Sequence, residues 1–179
     1  MRTVIFAPAT DDRYGIGKVS TRIGLQSEAI ILRSDDDVYA AVARLQQSDQ
    51  AVHCVLIDEA QFLTKAQVLQ LTFIVDRLSI PVLAYGLRSD FRGEPFPGSL
   101  YLLAWADNLI ELKTICHCGK KAGYNMRIDA DGQPVKHGEQ VQIGGNESYM
   151  STCRAHFYEA LDIMPDLIAE NTEQLTKGV

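Results

Sequence analysis

The sequence has no apolar run of about 18 residues, the length a membrane-spanning helix requires, so no membrane partner is expected. No signal peptide is expected either. Met1-Arg2-Thr3-Val4-Ile5-Phe6 contains one basic residue and a very short apolar run, without a long h-region or a small-residue cleavage site. These two absences predict a soluble, cytoplasmic protein. Basic charge is scarce: 17 Lys and Arg face 23 Asp and Glu, a formal net charge of -6. General nucleic-acid binding needs a basic footprint and is therefore not expected. An anionic small ligand stays open, because backbone N–H groups and a metal ion bind phosphate in an acidic protein. Internal repeats and low-complexity tracts are also missing.

A complete phosphate loop is lacking as well. Gly15-Ile16-Gly17-Lys18-Val19-Ser20 looks like one, but the pattern needs glycine where Asp12 stands and Ser or Thr where Val19 stands. The segment reads as a surface loop from which Arg13, Lys18 and Arg22 could reach phosphate. Cysteine is limited to Cys54, Cys116, Cys118 and Cys153. Three of these sit near histidines, which in a reducing compartment reads as metal binding rather than disulfide formation. Cys54, in the middle of an apolar run, reads as core.

The remaining composition is that of an ordinary globular chain, 46% hydrophobic and 22% charged, with enough apolar material for a core. Thr3 to Ala7 reads as a short buried strand and residues 10–25 as a polar loop. Asp35, Asp36 and Asp37 cap a predicted helix whose apolar face is Val38, Ala41, Val42 and Leu45. Val52 to Ile57 is a compact apolar strand ending in Asp58-Glu59. Thr64 and Gln67 form a capping-box pair before a helix carrying Val68, Leu71, Ile74, Val75 and Leu78. Ile80 to Leu87 reads as another strand, Ser99 to Ala106 as a helix and Leu109 to Leu112 as a last short strand. Apolar strands alternating with amphipathic helices predict an α/β fold, a parallel sheet with helices on both faces. From Lys113 the chain becomes rich in Gly, Cys and turn signals. Three parts follow: an α/β domain over 1–112, a small metal-stapled subdomain over 113–161 and a polar tail over 162–179.

Two constellations carry chemistry. An apolar strand ending in Asp58-Glu59 places two acids at the carboxyl edge of the sheet, where α/β proteins bind ligands. In a nucleotide-binding fold the first acid can hold Mg²⁺ through water and the second can take a proton from an attacking hydroxyl. The bland alternative is a pair of solvated acids. Cys116-His117-Cys118 and Cys153-Arg154-Ala155-His156 supply four N/S ligands of structural-zinc type as Cys116, Cys118, Cys153 and His156. His117, lying between two ligands, is the rival for the fourth position. Phe91 and Phe96, in the loop after a strand, could form a flat slot for a base or simply pack beneath the loop. Gly144-Gly145 with Tyr149 permits close backbone approach, or is an ordinary turn.

Taken together, five stretches resemble the thymidine kinase family, the zinc-containing cytosolic and bacterial deoxynucleoside kinases. They are Asp11-Asp12-Arg13-Tyr14-Gly15, Asp58-Glu59-Ala60-Gln61-Phe62-Leu63, Tyr85 to Gly93, Leu112-Lys113-Thr114-Ile115-Cys116 and Ile143-Gly144-Gly145-Asn146-Glu147. The resemblance runs from about Val4 to about Leu161. It implies a P-loop-type sheet, a zinc-ribbon-like lasso subdomain, and transfer of the ATP γ-phosphoryl group to the 5′-hydroxyl of thymidine or deoxyuridine with Mg²⁺. This is a transferase of nucleotide salvage for DNA synthesis. By the same likeness Glu59 is the proton acceptor and Arg22 stabilises transferring charge. Asp58, Glu59, Ala60 and Gln61 lie at the Mg²⁺ and nucleotide phosphates. Phe91 and Phe96 line the base pocket, and Gln142, Ile143, Gly144 and Gly145 with Tyr149 form a lasso over the base, held by zinc in a homotetramer. The family's opening strand, Gly-Lys-Ser phosphate loop and helix have no counterpart in this sequence. The expectation is a chain inactive as a kinase on its own, with a gap between strands Ile80–Leu87 and Leu109–Leu112. The alternatives are a kinase for another deoxynucleoside and a non-catalytic, zinc-stabilised nucleoside-binding remnant.

Overall fold

The computed structural model describes residues 2–9, 18–20, 26–47, 51–140 and 148–162. The chain divides into two compact units, one of residues 1–88 and 95–109, the other of residues 89–94 and 110–179.

In the first unit the strands are β1 (Thr3–Pro8), β2 (Lys18–Ser20), β3 (Gln26–Glu28), β4 (Ile30–Leu32), β5 (Cys54–Ile57) and β6 (Val82–Ala84), with helices α1 (Val38–Gln47), α2 (Lys65–Leu78) and α3 (Pro97–Trp105). Four strands form a parallel sheet in the order β4-β1-β5-β6. Parallel strands need crossovers: α1 carries the chain from β4 past β1 to β5, and α2 carries it from β5 to its neighbour β6. Pairing of Val4 with Val55 and of Phe6 with Ile57 puts four apolar side chains on one face of the sheet. They form a buried core with Val38 and Val42 of α1 and Val68, Leu71 and Ile74 of α2. On the opposite face Leu83, paired with Leu56, is 42% exposed.

Local signals explain where the helices start. Asp37 Oδ1 accepts the Ala40 N–H at 2.9 Å, which caps α1. The predicted capping box is present: Thr64 Oγ1 accepts from Gln67 N at 3.2 Å and Gln67 Oε1 accepts from Thr64 N at 3.1 Å. The Gln67 amide also donates to the Arg33 carbonyl at 2.7 Å, so one buried side chain caps α2 and ties down the turn before α1.

Three sequence expectations are corrected. Residues 18–20 are not loop but pair antiparallel with Gln26–Glu28. β6 is shorter than Ile80–Leu87. Leu109–Leu112 forms no strand: Leu109, Ile110 and Leu112 are 63%, 86% and 75% exposed. Apolar character by itself does not make a strand, because the backbone groups need a neighbouring ladder, and no described strand pairs with this segment.

The second unit is built from small hairpins. β7 (Thr114–Ile115) pairs with β8 (Lys121–Ala122), and β9 (Tyr124–Ile128) with β10 (Ser148–Thr152), both antiparallel; α4 spans Arg154–Leu161. Phe157 of α4 is fully buried and stacks on Tyr124 of β9, ring centroids 4.5 Å apart. With so few apolar residues, a unit of this kind depends on something other than a large core.

Candidate functional site

The four residues expected to bind zinc come together. Cys116 and Cys118 lie on the turn between β7 and β8, where Cys116 N donates to the Lys120 carbonyl and Gly119 N to the Cys116 carbonyl, both at 2.8 Å. Gly119 takes φ 81, which lets this tight turn present both sulfurs to one side. Cys153 is the N-cap of α4 and His156 lies in its first turn, so the three-residue spacing puts both side chains on one helix face. All four ligand atoms lie within 4.8 Å of one another. His156 Nδ1 is 3.3 Å from Cys116 Sγ and 3.7 Å from Cys153 Sγ, and Cys118 Sγ is 3.9 Å from Cys153 Sγ. A tetrahedral zinc with Zn–S of about 2.3 Å and Zn–N of about 2.0–2.1 Å separates its ligands by roughly 3.5–3.8 Å. The donor set therefore fits such an ion. His117 stacks on the His156 ring at 4.3 Å and is not among the converging four.

The electrostatics favour a metal-ready thiolate. The Cys118 backbone N–H, then the His156 ring, lower the Cys116 thiol to about 5. Cys118 is raised overall: the Lys120 backbone N–H lowers it, but burial and the neighbouring Cys116 and Cys153 sulfurs outweigh that.

In the other unit, Asp58 and Glu59 follow β5 at the carboxyl end of the sheet. Asp58 N donates to the Phe6 carbonyl at 2.9 Å, and Asp58 Oδ1 accepts the Glu59 N–H at 3.0 Å. Glu59 stands in the left-handed region at φ 48, ψ 39, and a single 3₁₀ turn, residues 60–62, follows it. A non-glycine residue there costs on the order of 1–3 kcal/mol, and such strain concentrates at functional sites. Gln61, 1% exposed, donates from Nε2 to Glu59 Oε2 at 2.5 Å and accepts the Leu87 N–H on Oε1 at 3.2 Å. Ala60 N donates to the Tyr85 carbonyl at 2.8 Å.

Two glycines to which the sequence reading gave no role, Gly86 within the Tyr85 to Gly93 stretch and Gly98, make this arrangement possible. A Cβ on Gly86 would lie 2.6 Å from Gln61 Oε1, and one on Gly98 would lie 2.7 Å from the carbonyl oxygens of both Ala60 and Gln61. Gly98 is the second residue of α3, directly after Pro97, and its missing side chain lets the helix start press against the acid-bearing turn. No local pattern distinguishes these glycines from those of ordinary turns.

The other predicted residues are placed as follows. Phe96 is buried in the first unit, edge-on to Phe62 with centroids 5.5 Å apart. Phe91 is buried in the second unit, with the Arg127 guanidinium carbon 3.6 Å from its ring centroid. Each ring is thus covered by neighbours of its own unit. Tyr149 lies on β10 and is 54% exposed. Arg22, Gln142, Ile143, Gly144 and Gly145 lie outside the described residues, as do Asp11 to Gly15 and the tail beyond 162. Lys18 to Ser20 belong to a strand, whereas the lysine and following residues of a phosphate loop open a helix, so the Gly15–Ser20 segment is no phosphate cradle. Among the described residues no helix is long and apolar enough to cross a membrane.

Comparison with known proteins gives a consistent result. The family model described as thymidine kinase matches residues 1–157. A thymidine kinase of Legionella pneumophila (strain Lens) is 62% identical over 157 residues, 88% of this chain and 75% of the relative. One from Vibrio vulnificus (strain CMCP6) is 59% identical over 161 residues, 90% of this chain and 83% of the relative. One from Shigella dysenteriae is 56% identical over 163 residues, covering 91% and 79%.

Proposed function

The chain belongs to the thymidine kinase family, and from that premise we propose that it serves transfer of the ATP γ-phosphoryl group to the 5′-hydroxyl of thymidine or deoxyuridine. The observation that carries the reading is the Asp58-Glu59 pair at the carboxyl end of β5, with Glu59 in a left-handed conformation and its carboxylate bonded by Gln61 Nε2. Glu59 accepts the proton of the attacking hydroxyl. Gln61 fixes the carboxylate's direction, so no reorganisation is needed as the proton moves. Asp58 helps to hold Mg²⁺, which supplies charge neutralisation at the phosphates when bound with ATP. Arg22 stabilises transferring charge. Phe91, Phe96, Tyr149 and residues 142–145 embrace the base.

Zinc at Cys116, Cys118, Cys153 and His156 is structural, holding hairpins that have little core of their own. The reading includes a nucleotide-binding part over 1–112, a lasso subdomain over 113–161 and a tail over 162–179. It also includes thymidine and ATP as partners in place of nucleic acid or membrane, residence in the cytoplasm, and a homotetramer.

The test measures thymidine binding and ATP-dependent phosphorylation by the purified protein and by Glu59→Gln. A general base contributes about 10²–10⁴ in rate. Made in a form of the enzyme that includes a phosphate loop, Glu59→Gln should therefore bind thymidine almost normally while turnover falls by that order. Near-wild-type turnover would reject the role of Glu59. Thymidine binding without any turnover in the parent chain would favour a non-catalytic nucleoside binder, and preference for another base in competition would reassign the substrate.

A further inference from the structure

The loop 89–94 follows β6 in sequence but belongs to the metal-bearing unit in space. Its own bonding makes it a compact knot. Asp90, 3% exposed, accepts from the backbone N–H groups of Arg92 and Glu94 at 2.9 and 3.0 Å and from the Arg92 guanidinium at 2.8 and 3.0 Å. Asp90 N and Glu94 O close the turn at 2.8 Å. One buried side chain makes two of the contacts that fix this knot to its unit. Arg127, in the middle of β9, is 1% exposed. Its guanidinium lies over the Phe91 ring at 3.6 Å, and its Nη2 donates to the Glu139 carbonyl at 2.7 Å. Gln140, the next residue, donates from Nε2 to Asp90 Oδ2 at 3.2 Å.

Arg127 also stands directly opposite Tyr149 in the β9–β10 register, and cross-strand neighbours project from the same face. The guanidinium therefore joins two segments distant in sequence, the loop carrying Phe91 and the stretch at Glu139, from a strand position that faces Tyr149 in register. Burying a charge is costly unless it finds partners; here the Phe91 ring face and the Glu139 carbonyl supply them, while the buried Nε makes no hydrogen bond among the described residues.

We propose that Arg127 is a positioning residue for nucleoside binding: stacked on Phe91 and bonded to the Glu139 carbonyl, it locks the 89–94 loop and the approach to residues 142–145 onto β9. The proposal rests on the reading of Phe91 as a base-pocket residue. It adds a component that touches no substrate and acts through the residues that do.

The experiment compares the zinc-loaded protein with Arg127→Met, Arg127→Lys, Phe91→Leu and the Arg127→Met/Phe91→Leu double variant. Zinc content, amide hydrogen exchange without ligand, and thymidine affinity are measured for each. In Arg127→Met, zinc should stay at about one per chain, and exchange should accelerate at the Asp90, Arg92, Gly93 and Glu94 amides while those of β5 keep their protection. Thymidine should bind roughly fivefold to thirtyfold more weakly, the effect of losing one desolvated cation–π contact. Arg127→Lys, which keeps the cation and loses the planar fork, should recover part of the loss. In the Phe91→Leu background Arg127→Met should add little, a non-additivity that general destabilisation would not produce.

Unchanged loop exchange in both Arg127 variants would overturn the proposal, and so would affinity losses that add in full. If Arg127→Met loses its metal, the same comparison is read on Arg127→Lys. If Phe91→Leu alone leaves thymidine affinity unaltered, the base-pocket reading falls and takes the link to nucleoside with it. The exchange arm then still decides whether Arg127 holds the loop.

Discussion

The buried amide of Gln61 bonds the Glu59 carboxylate at 2.5 Å while its carbonyl oxygen accepts the Leu87 N–H, so one side chain ties the acid at the end of β5 to the segment that follows β6. Gln61 is the residue that gives a half-buried strand-end acid a defined direction. Replacing it with Met keeps its length and removes both bonds. The Leu87 N–H then loses that acceptor and the Glu59 carboxylate its buried donor, and a hydrogen bond to a charged group contributes about 1.5–3 kcal/mol. Gln61→Met should lower unfolding free energy by that amount in denaturant titration and slow turnover more than it weakens thymidine binding. Unchanged turnover at full thymidine saturation would show that Glu59 needs no such orientation.

The backbone at Glu59 makes a second, opposite prediction. At φ 48 a glycine is free of the Cβ penalty that glutamate suffers. Glu59→Gly should therefore leave stability unchanged or raise it by up to about 1 kcal/mol, while phosphoryl transfer is lost. A strongly destabilised Glu59→Gly protein would mean that the carboxylate's bonds outweigh the strain.

Glycine substitutions near the acids should rank in a definite order. A Cβ at Gly98 meets the carbonyl oxygens of Ala60, Gln61 and Leu63 at 2.7 to 2.8 Å, all backbone. At Gly86 the nearest atom is the end of the Gln61 side chain, which can swing aside, although Gln61 N lies 3.0 Å away. Overpacking costs typically about 1–3 kcal/mol. Gly98→Ala should sit at or above the top of that range and Gly86→Ala below it, with Gly86→Ala losing turnover by displacing Gln61. Thermal melts of the two variants check the order; the reverse order would contradict the packing.

Removing the metal should act on one unit only. The sheet unit has its own core of Val4, Phe6, Val55, Ile57 and the faces of α1 and α2. The hairpins around Cys116, Cys118, Cys153 and His156 have none of comparable size. Chelation should raise amide exchange in β7 to β10 and α4 and weaken thymidine binding, while β1 and β5 keep their protection. Cys118→Ser should reproduce this pattern with zinc content falling below one per chain. Unchanged thymidine affinity after complete metal removal would separate the metal from nucleoside binding.

What could be read from the amino-acid order was whatever physics keeps local. The Thr64–Gln67 capping box, the Asp37 cap, the i to i+3 pair Cys153 and His156, and an apolar strand ending in two acids are each set by neighbours within a turn. All appear as read. The family's motifs, spread over most of the chain, made its kinship legible too. Tertiary structure alone decided the rest. Whether His117 or His156 completes the Cys116–Cys118 pair depended on how α4 approaches the β7–β8 turn across about 40 residues of chain. Leu109–Leu112 has strand composition but pairs with no strand among the described residues, and pairing is not written in a segment's own residues. The assignment of the 89–94 loop to the metal-bearing unit and the burial of Arg127 beneath it left no trace in the sequence. A lone arginine between Met126 and Ile128 looks like any solvated strand residue until Phe91, more than 30 positions away, is folded onto its face.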